Sequence, residues 1–151
     1  RISRALEVFL ISGKTLTDLQ AKAGDGLKGI NVINIAIAPN NREVLHERIA
    51  RRFNAMLDNG LIDEVKALMA RDDLTEEMPS IRSVGYRQVW DYLSGKLTFD
   101  EMRERGIVAT RQLAKRQLTW LRGSTDIHWF DSVNPLLFRQ VSHFLMNVLR
   151  E

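Results

Sequence analysis

Apolar residues return at near-helical spacing over Arg1 to Ile11, at Ile2, Ala5, Leu6, Val8 and Phe9, until Ser12-Gly13 interrupts them. The pattern predicts a helix and its stop. Thr15 or Thr17 is placed to cap a second short helix through Leu16 and Leu19, and Gly24 to Gly29 reads as a glycine-rich loop. The pattern then changes. Ile30 to Ala38 is dense in β-branched residues (Ile30, Val32, Ile33, Ile35, Ile37) and is closed by Pro39, which predicts a strand buried on both faces of a parallel sheet. Helical spacing resumes over Arg42 to Asn59, with Leu45, Ile49, Phe53 and Met56 on one face and Gly60 as the stop, and a further helix runs from Leu61 to about Arg71. Pro79 breaks the chain, Ser80 or Ser83 can cap the next helix, and Tyr86 to Leu93 is amphipathic up to Gly95. Thr98 with Glu101 three residues on forms a capping-box pattern ahead of a long helix from Phe99 to Arg122. Gly123 to Asp126 reads as a turn, Ile127 to Phe130 as a short strand and Pro135 to Leu149 as a terminal helix.

Two short strands cannot make a stable sheet alone, because each leaves an edge unpaired. The expected fold class is therefore α/β: a mainly helical stretch supplying two members of a parallel sheet whose other strands lie elsewhere. A boundary is expected after Gly29, giving residues 1–29 and 30–151 as separate parts. Because helical spacing is already present at Arg1, the chain is expected to begin inside a larger protein.

Composition narrows the function classes. With 151 residues and 44% hydrophobic content the chain can bury a substantial core. No apolar run approaches the roughly 18 residues that span a bilayer, and Arg1 to Ile11 lacks a signal peptide's apolar block, so a soluble, non-membrane protein is expected. There is no cysteine, which fits a reducing cytoplasm and rules out thiolate metal sites. His46, His128 and His143 are too scattered to suggest a metal site built by this chain alone.

Charge then points to anions. At about 100° per residue, Arg111, Lys115 and Arg122 share a roughly 40° arc of the long helix, beside an apolar stripe of Ile107, Ala114, Leu118 and Leu121. Arg105, Gln112, Arg116 and Thr119 widen the polar side with donors suited to phosphate and sugar oxygens, and no acidic residue follows Glu104 up to Arg122. A solvated charged face and an anion-facing surface both fit the spacing; the absence of acids favours the second. Arg48 and Arg52 flank the apolar face of their helix, where a guanidinium fork can hold a diphosphate or lay its stem on the core. Arg82-Ser83-Val84-Gly85-Tyr86-Arg87 joins two arginines, a glycine and an aromatic at a loop-to-helix junction. Tyr86 is suited to stack on a base or to pack with Trp90 in the core. Ser12-Gly13-Lys14-Thr15 copies the end of a phosphate-binding loop, but Val8 stands where that motif needs glycine and a helix stands where it needs a strand.

These segments, in this order, resemble the bacterial tRNA dimethylallyltransferase family. The resemblance rests on Arg1 to Val8, Ser12 to Thr15, Arg48-Ile49 with Arg52-Phe53 and Met56-Leu57, Pro79 to Gln88, and Ala109 to Arg122, and it corresponds to the C-terminal part of the family's chain. It implies a core like that of P-loop kinases, carrying a helical insertion that clamps an anticodon stem-loop. Residues 1–29 would be the end of that insertion and 30–151 the C-terminal half of the core. The implied reaction moves a dimethylallyl group from dimethylallyl diphosphate to the exocyclic N6 amine of the adenosine 3′ of the anticodon, with Mg²⁺, in a cytoplasmic protein expected to be monomeric. On matching positions, Arg52 is implied in catalysis and, with Arg48, in diphosphate binding. Arg1, Ile2, Ser3, Arg4, the segment Arg82 to Arg87, Arg111, and Lys115, Arg116, Gln117, Leu118, Thr119, Trp120, Leu121 and Arg122 are implied in tRNA contact. The family's phosphate loop and the aspartate that takes the amine proton have no counterpart here, since Asp25 and Asp100 lie outside any such motif, so this stretch alone is expected to be inactive. Two other readings stay open: a free-standing RNA-binding module, and the C-terminal half of a P-loop kinase acting on a small molecule.

Overall fold

The computed structural model describes residues 2–21 and 30–150. Arg1, Asp25 and the Gly24 to Gly29 loop lie outside the described residues. The contacts divide the chain into two compact units, Arg1–Ile33 and Asn34–Glu151. In the first, α1 (Ile2–Ser12) stops where the Ser12 hydroxyl donates to Val8 O at 2.6 Å and Gly13 takes a positive φ of 66°. Thr15 then caps α2 (Leu16–Ala21), its Oγ1 accepting from the Asp18 amide at 3.1 Å. Ser12 to Thr15 thus joins two helices, and the strand exit that a phosphate-binding loop requires is absent from it.

The second unit opens on β1 (Ile35–Ala38), which pairs in parallel with β2 (His128–Asp131), Ile35 opposite His128 and Ala38 opposite Asp131. Together they form a two-stranded parallel sheet within a mostly helical fold. The strand predicted from Ile30 is shorter than its β-branched run, because only Ile35 to Ala38 has a ladder partner. Burial on both faces is also corrected. Ala36 is buried, whereas Ile37, pointing the other way, is 54% exposed. Alternate side chains take opposite faces, and the described residues cover only one of them.

Asn41 ends the β1 turn and caps α3 (Arg42–Asp58), its side chain accepting from the Glu43 amide at 2.7 Å. Gly60, at φ 93°, reverses the chain into α4 (Leu61–Met69), two residues shorter than predicted. α5 (Tyr86–Leu93) and α6 (Phe99–Arg122) match the predicted ranges, and Thr98 and Glu101 make the reciprocal capping box. α7 (Leu137–Val148) lies against β2 through Phe144, whose ring centroid is 4.3 Å from His128 and 5.6 Å from Phe130.

The core belongs to the helices. Phe53, Leu61, Val65, Ile81, Val89, Trp90 and Met102 form one buried cluster drawn from α3, α4, α5, α6 and the segment before α5. Each fully buried side chain of this size is worth about 1.5–3 kcal/mol relative to exposure. α3 and α6 touch where Phe53 lies on Gly106: a Cβ there would sit 2.1 Å from Phe53 Cζ, so only glycine permits the approach. That contact holds the two arginine-bearing helices side by side. No described helix is long and apolar enough to cross a membrane.

Candidate anion and nucleic-acid interface

The arc predicted on α6 becomes one wall of a cleft. Arg111, Lys115, Leu118, Thr119 and Arg122 of α6 line it together with Arg42, Leu45 and His46 of α3 and Pro39-Asn40 from the β1–α3 turn. The cleft has a volume of about 170 Å³. No carboxylate lines it: Asp131 is occupied at its edge, accepting from the Asn40 amide at 3.4 Å and from Asn40 Nδ2 at 3.1 Å. Arg111 is half-buried, and its Nε is buried with no hydrogen-bond partner among the described residues. Arg42 Nε donates to His46 Nε2 at 3.3 Å. Desolvation first, then the charges of Arg111 and Arg42, hold the His46 imidazole below the usual histidine value, partly offset by Glu43. The ring is therefore favoured in its neutral form.

Arg52 lies six residues of α3 beyond His46, at a small pocket of about 70 Å³ that also takes in Val84 and Gly85 from the loop and Thr110 from α6. One of the residues implied in diphosphate binding and part of the segment implied in tRNA contact thus meet at one place. Arg48 does not join them there. It is half-buried, and its Nη1 donates to Ser132 Oγ at 3.0 Å, just past the end of β2. Gly85 holds φ 99° at the entry to α5, a conformation L side chains rarely adopt. The serine cap expected for α5 is replaced: neither Ser80 nor Ser83 supplies it, and the Gln88 side chain instead accepts from the Gly85 amide at 2.8 Å.

Arg82 and Arg87 line a different groove, of about 230 Å³, in which Glu76, Glu77, Asp91 and Lys96 alternate with them. Arg82 is paired with Glu77 at 2.7 Å. Lys96 donates to Glu76, a bond that holds the Glu76 carboxyl below its usual range. Tyr86 is half-buried against the core cluster, and its hydroxyl donates to Glu64, which raises its pKa above the usual phenol value.

The remaining candidates separate by side of α6. Gln117 and Arg116 are exposed, and Trp120 is 79% exposed beside Lys115, Arg116 and Thr119. The Thr119 hydroxyl donates to Lys115 O at 2.9 Å. Leu118 and Leu121 turn inward and are half-buried, so they support the helix. In the N-terminal unit Ile2, Ser3 and Arg4 are exposed, and Arg4 pairs with Glu7 at 3.2 Å. Sequence reasoning weighed His46 only as a metal ligand and did not single out Arg42. Their spacing of four residues was available as a signal, but nothing in it said that the start of α3 would face the far half of α6. Among the described residues no group of three or more His, Asp or Glu side chains could hold a metal ion.

The family model described as IPP transferase matches residues 1–124. The structure of the full-length tRNA isopentenylpyrophosphate transferase of Bacillus halodurans superposes with a TM-score of 0.74 at 31% identity, covering 89% of this chain and 43% of that one. The tRNA delta(2)-isopentenylpyrophosphate transferase of Staphylococcus epidermidis gives 0.69 at 26% identity, covering 99% and 48%. The chain spans just under half the length of these relatives. With the family model matched over most of its length, the chain belongs to the IPP transferase family.

Proposed function

We propose that the chain is the C-terminal part of a tRNA dimethylallyltransferase. In the whole protein it would hold an anticodon stem-loop and face the diphosphate of dimethylallyl diphosphate while the N6 amine of the adenosine 3′ of the anticodon is alkylated. The observation that carries this is the meeting of Arg52 with Val84-Gly85 beside an α6 whose cations have no acidic neighbour from Arg105 to Arg122. As the amine attacks carbon, negative charge grows on the departing diphosphate, and a guanidinium aimed at those oxygens stabilises the transition state. Arg52 is assigned that part. Arg48, one turn of α3 earlier and bonded to Ser132 outside the Arg52 pocket, is assigned a supporting place beside that diphosphate.

The second requirement is to draw a base from its stack, which costs a few kcal/mol and is offset by phosphate contacts and aromatic stacking. Lys115, Arg116 and the exposed Trp120 ring supply those groups on α6, with Arg111 and Arg122 beside them. Arg82 and Arg87 extend the surface, and residues 1–29 are assigned to the end of the clamping insertion. The implied Mg²⁺ would draw its ligands from outside the described residues, and the whole protein is expected to be a cytoplasmic monomer.

The reading is tested in the whole protein by separating the two tasks. Arg52→Ala should lower prenyl transfer and weaken dimethylallyl diphosphate while leaving stem-loop affinity within about twofold, whereas Lys115→Ala with Arg116→Ala should cost stem-loop affinity about tenfold or more. Equal losses of stem-loop binding in both would refute the division. Turnover by residues 1–151 alone would refute the assignment of this stretch as an incomplete site.

A further inference from the structure

Asn40, Arg42 and His46 have no part in the division above, yet they close the cleft that Arg111, Lys115 and Arg122 open. We propose that this cleft is a socket for a single phosphate group, gripped between the first turns of α3 and the second half of α6. The proposal rests on the reading of α6 as an RNA-facing helix, and adds to it a second helix and a defined ligand. Three observations carry it. First, four permanent cations and one imidazole converge on one hollow with no carboxylate in its lining, although the molecule pairs its arginines elsewhere, Arg82 with Glu77 and Arg71 with Asp73. Like charges brought together at a cost in self-repulsion call for a counter-charge. Second, Arg111 Nε is buried without an acceptor, a condition that buried donors rarely keep. Turned toward the cleft that its guanidinium lines, that donor would meet an anionic oxygen there. Third, the volume of about 170 Å³ holds several waters but falls short of the roughly 300 Å³ and more of pockets for larger ligands, so it suits one phosphoryl group and excludes a stacked base.

A phosphate here could come from the RNA backbone or from a small diphosphate, and the chemistry of recognition is the same: guanidinium forks and an ammonium on non-bridging oxygens. His46 now accepts from Arg42 Nε; with an oxyanion present, that Arg42 donor is free to turn to the ligand.

The test measures binding of inorganic pyrophosphate by calorimetry, and of a labelled single-stranded oligoribonucleotide by anisotropy over a salt series, to the whole protein. Arg42→Gln and His46→Gln are compared with wild type and with Arg139→Gln on α7 as a control for net charge. Arg42 is exposed, so its replacement should leave the far-ultraviolet circular dichroism unchanged, and Arg42→Lys keeps the charge while removing the fork. The expected result is a loss of about tenfold in Arg42→Gln, a partial loss in Arg42→Lys and none in Arg139→Gln. A loss confined to RNA, with the slope of log affinity against log salt reduced by about one, identifies a backbone phosphate as the occupant. A loss confined to pyrophosphate identifies a small diphosphate. Unchanged binding of both probes in Arg42→Gln and His46→Gln overturns the socket, and it does so without touching the RNA reading if Lys115→Ala with Arg116→Ala still weakens RNA. If wild type binds no RNA, the RNA reading falls and the pyrophosphate arm alone decides the socket.

Discussion

Gly106 shows how a residue with no side chain can set the site. It lies inside α6, where glycine costs about 1 kcal/mol relative to alanine, so its presence needs a reason, and Phe53 beneath it provides one. Gly106→Ala would gain helix propensity but drive a methyl into the Phe53 ring, and overpacking of that kind costs about 1–3 kcal/mol. A lower urea midpoint with an unchanged slope is the expected outcome; a raised midpoint would mean that Phe53 moves aside freely. His46 gives a residue-scale prediction in pH. Its folded-state pKa lies below the value near 6.5 of the unfolded chain, so the folded protein binds fewer protons in that range. The stability this contributes is complete above the unfolded pKa and is lost as pH falls below it. Melting temperatures measured between about pH 7.5 and 5 should therefore fall more for wild type than for His46→Gln.

α6 is where local rules and tertiary demands coincide. Its capping box, its length and its apolar stripe were all legible before the fold, because they depend on residues three or four apart. Thr98→Ala removes the cap at the end remote from the cationic half and should cost about 1 kcal/mol of stability, leaving oligoribonucleotide affinity unchanged once the protein is folded. A loss of affinity in the folded variant would show that the two ends of the helix are coupled. α5 is the contrast. Ser80 and Ser83 carry the right chemistry for a cap, but Gly85 alone tolerates φ 99°, and that conformation sets the helix start and recruits Gln88. Sequence chemistry offered two caps; backbone sterics chose neither.

Across the whole molecule, the helical core and the strand pair are held by different contacts. Phe53, Val65, Val89 and Met102 knit α3 to α6, whereas α7 rests on β2 mainly through Phe144 against His128 and Phe130. Phe144→Ala should consequently reduce hydrogen-exchange protection in α7 and β2 while sparing α4 and α5. Uniform loss of protection would show instead that the sheet and the helical core unfold as one. This partition bears on function, because the cleft joins them: Pro39 and Asn40 come from the end of β1, and Asp131 of β2 fixes Asn40.

The strand at Ile30 marks the limit of local reading. A run of β-branched residues announces extended chain, but pairing needs a partner at the right register, and only Ile35 to Ala38 meets β2. By itself the sequence determined the helices, most of their caps, the cationic arc on α6 and the family resemblance, since each depends on residue identity and short spacing. Tertiary structure decided which cations share a hollow. It carried Arg42 and His46 to the far half of α6, set Arg52 beside Gly85, and turned Arg82 toward Glu77. Those placements follow from the packing of Phe53 on Gly106 and from the strand register, contacts between residues far apart in the chain that no local periodicity encodes.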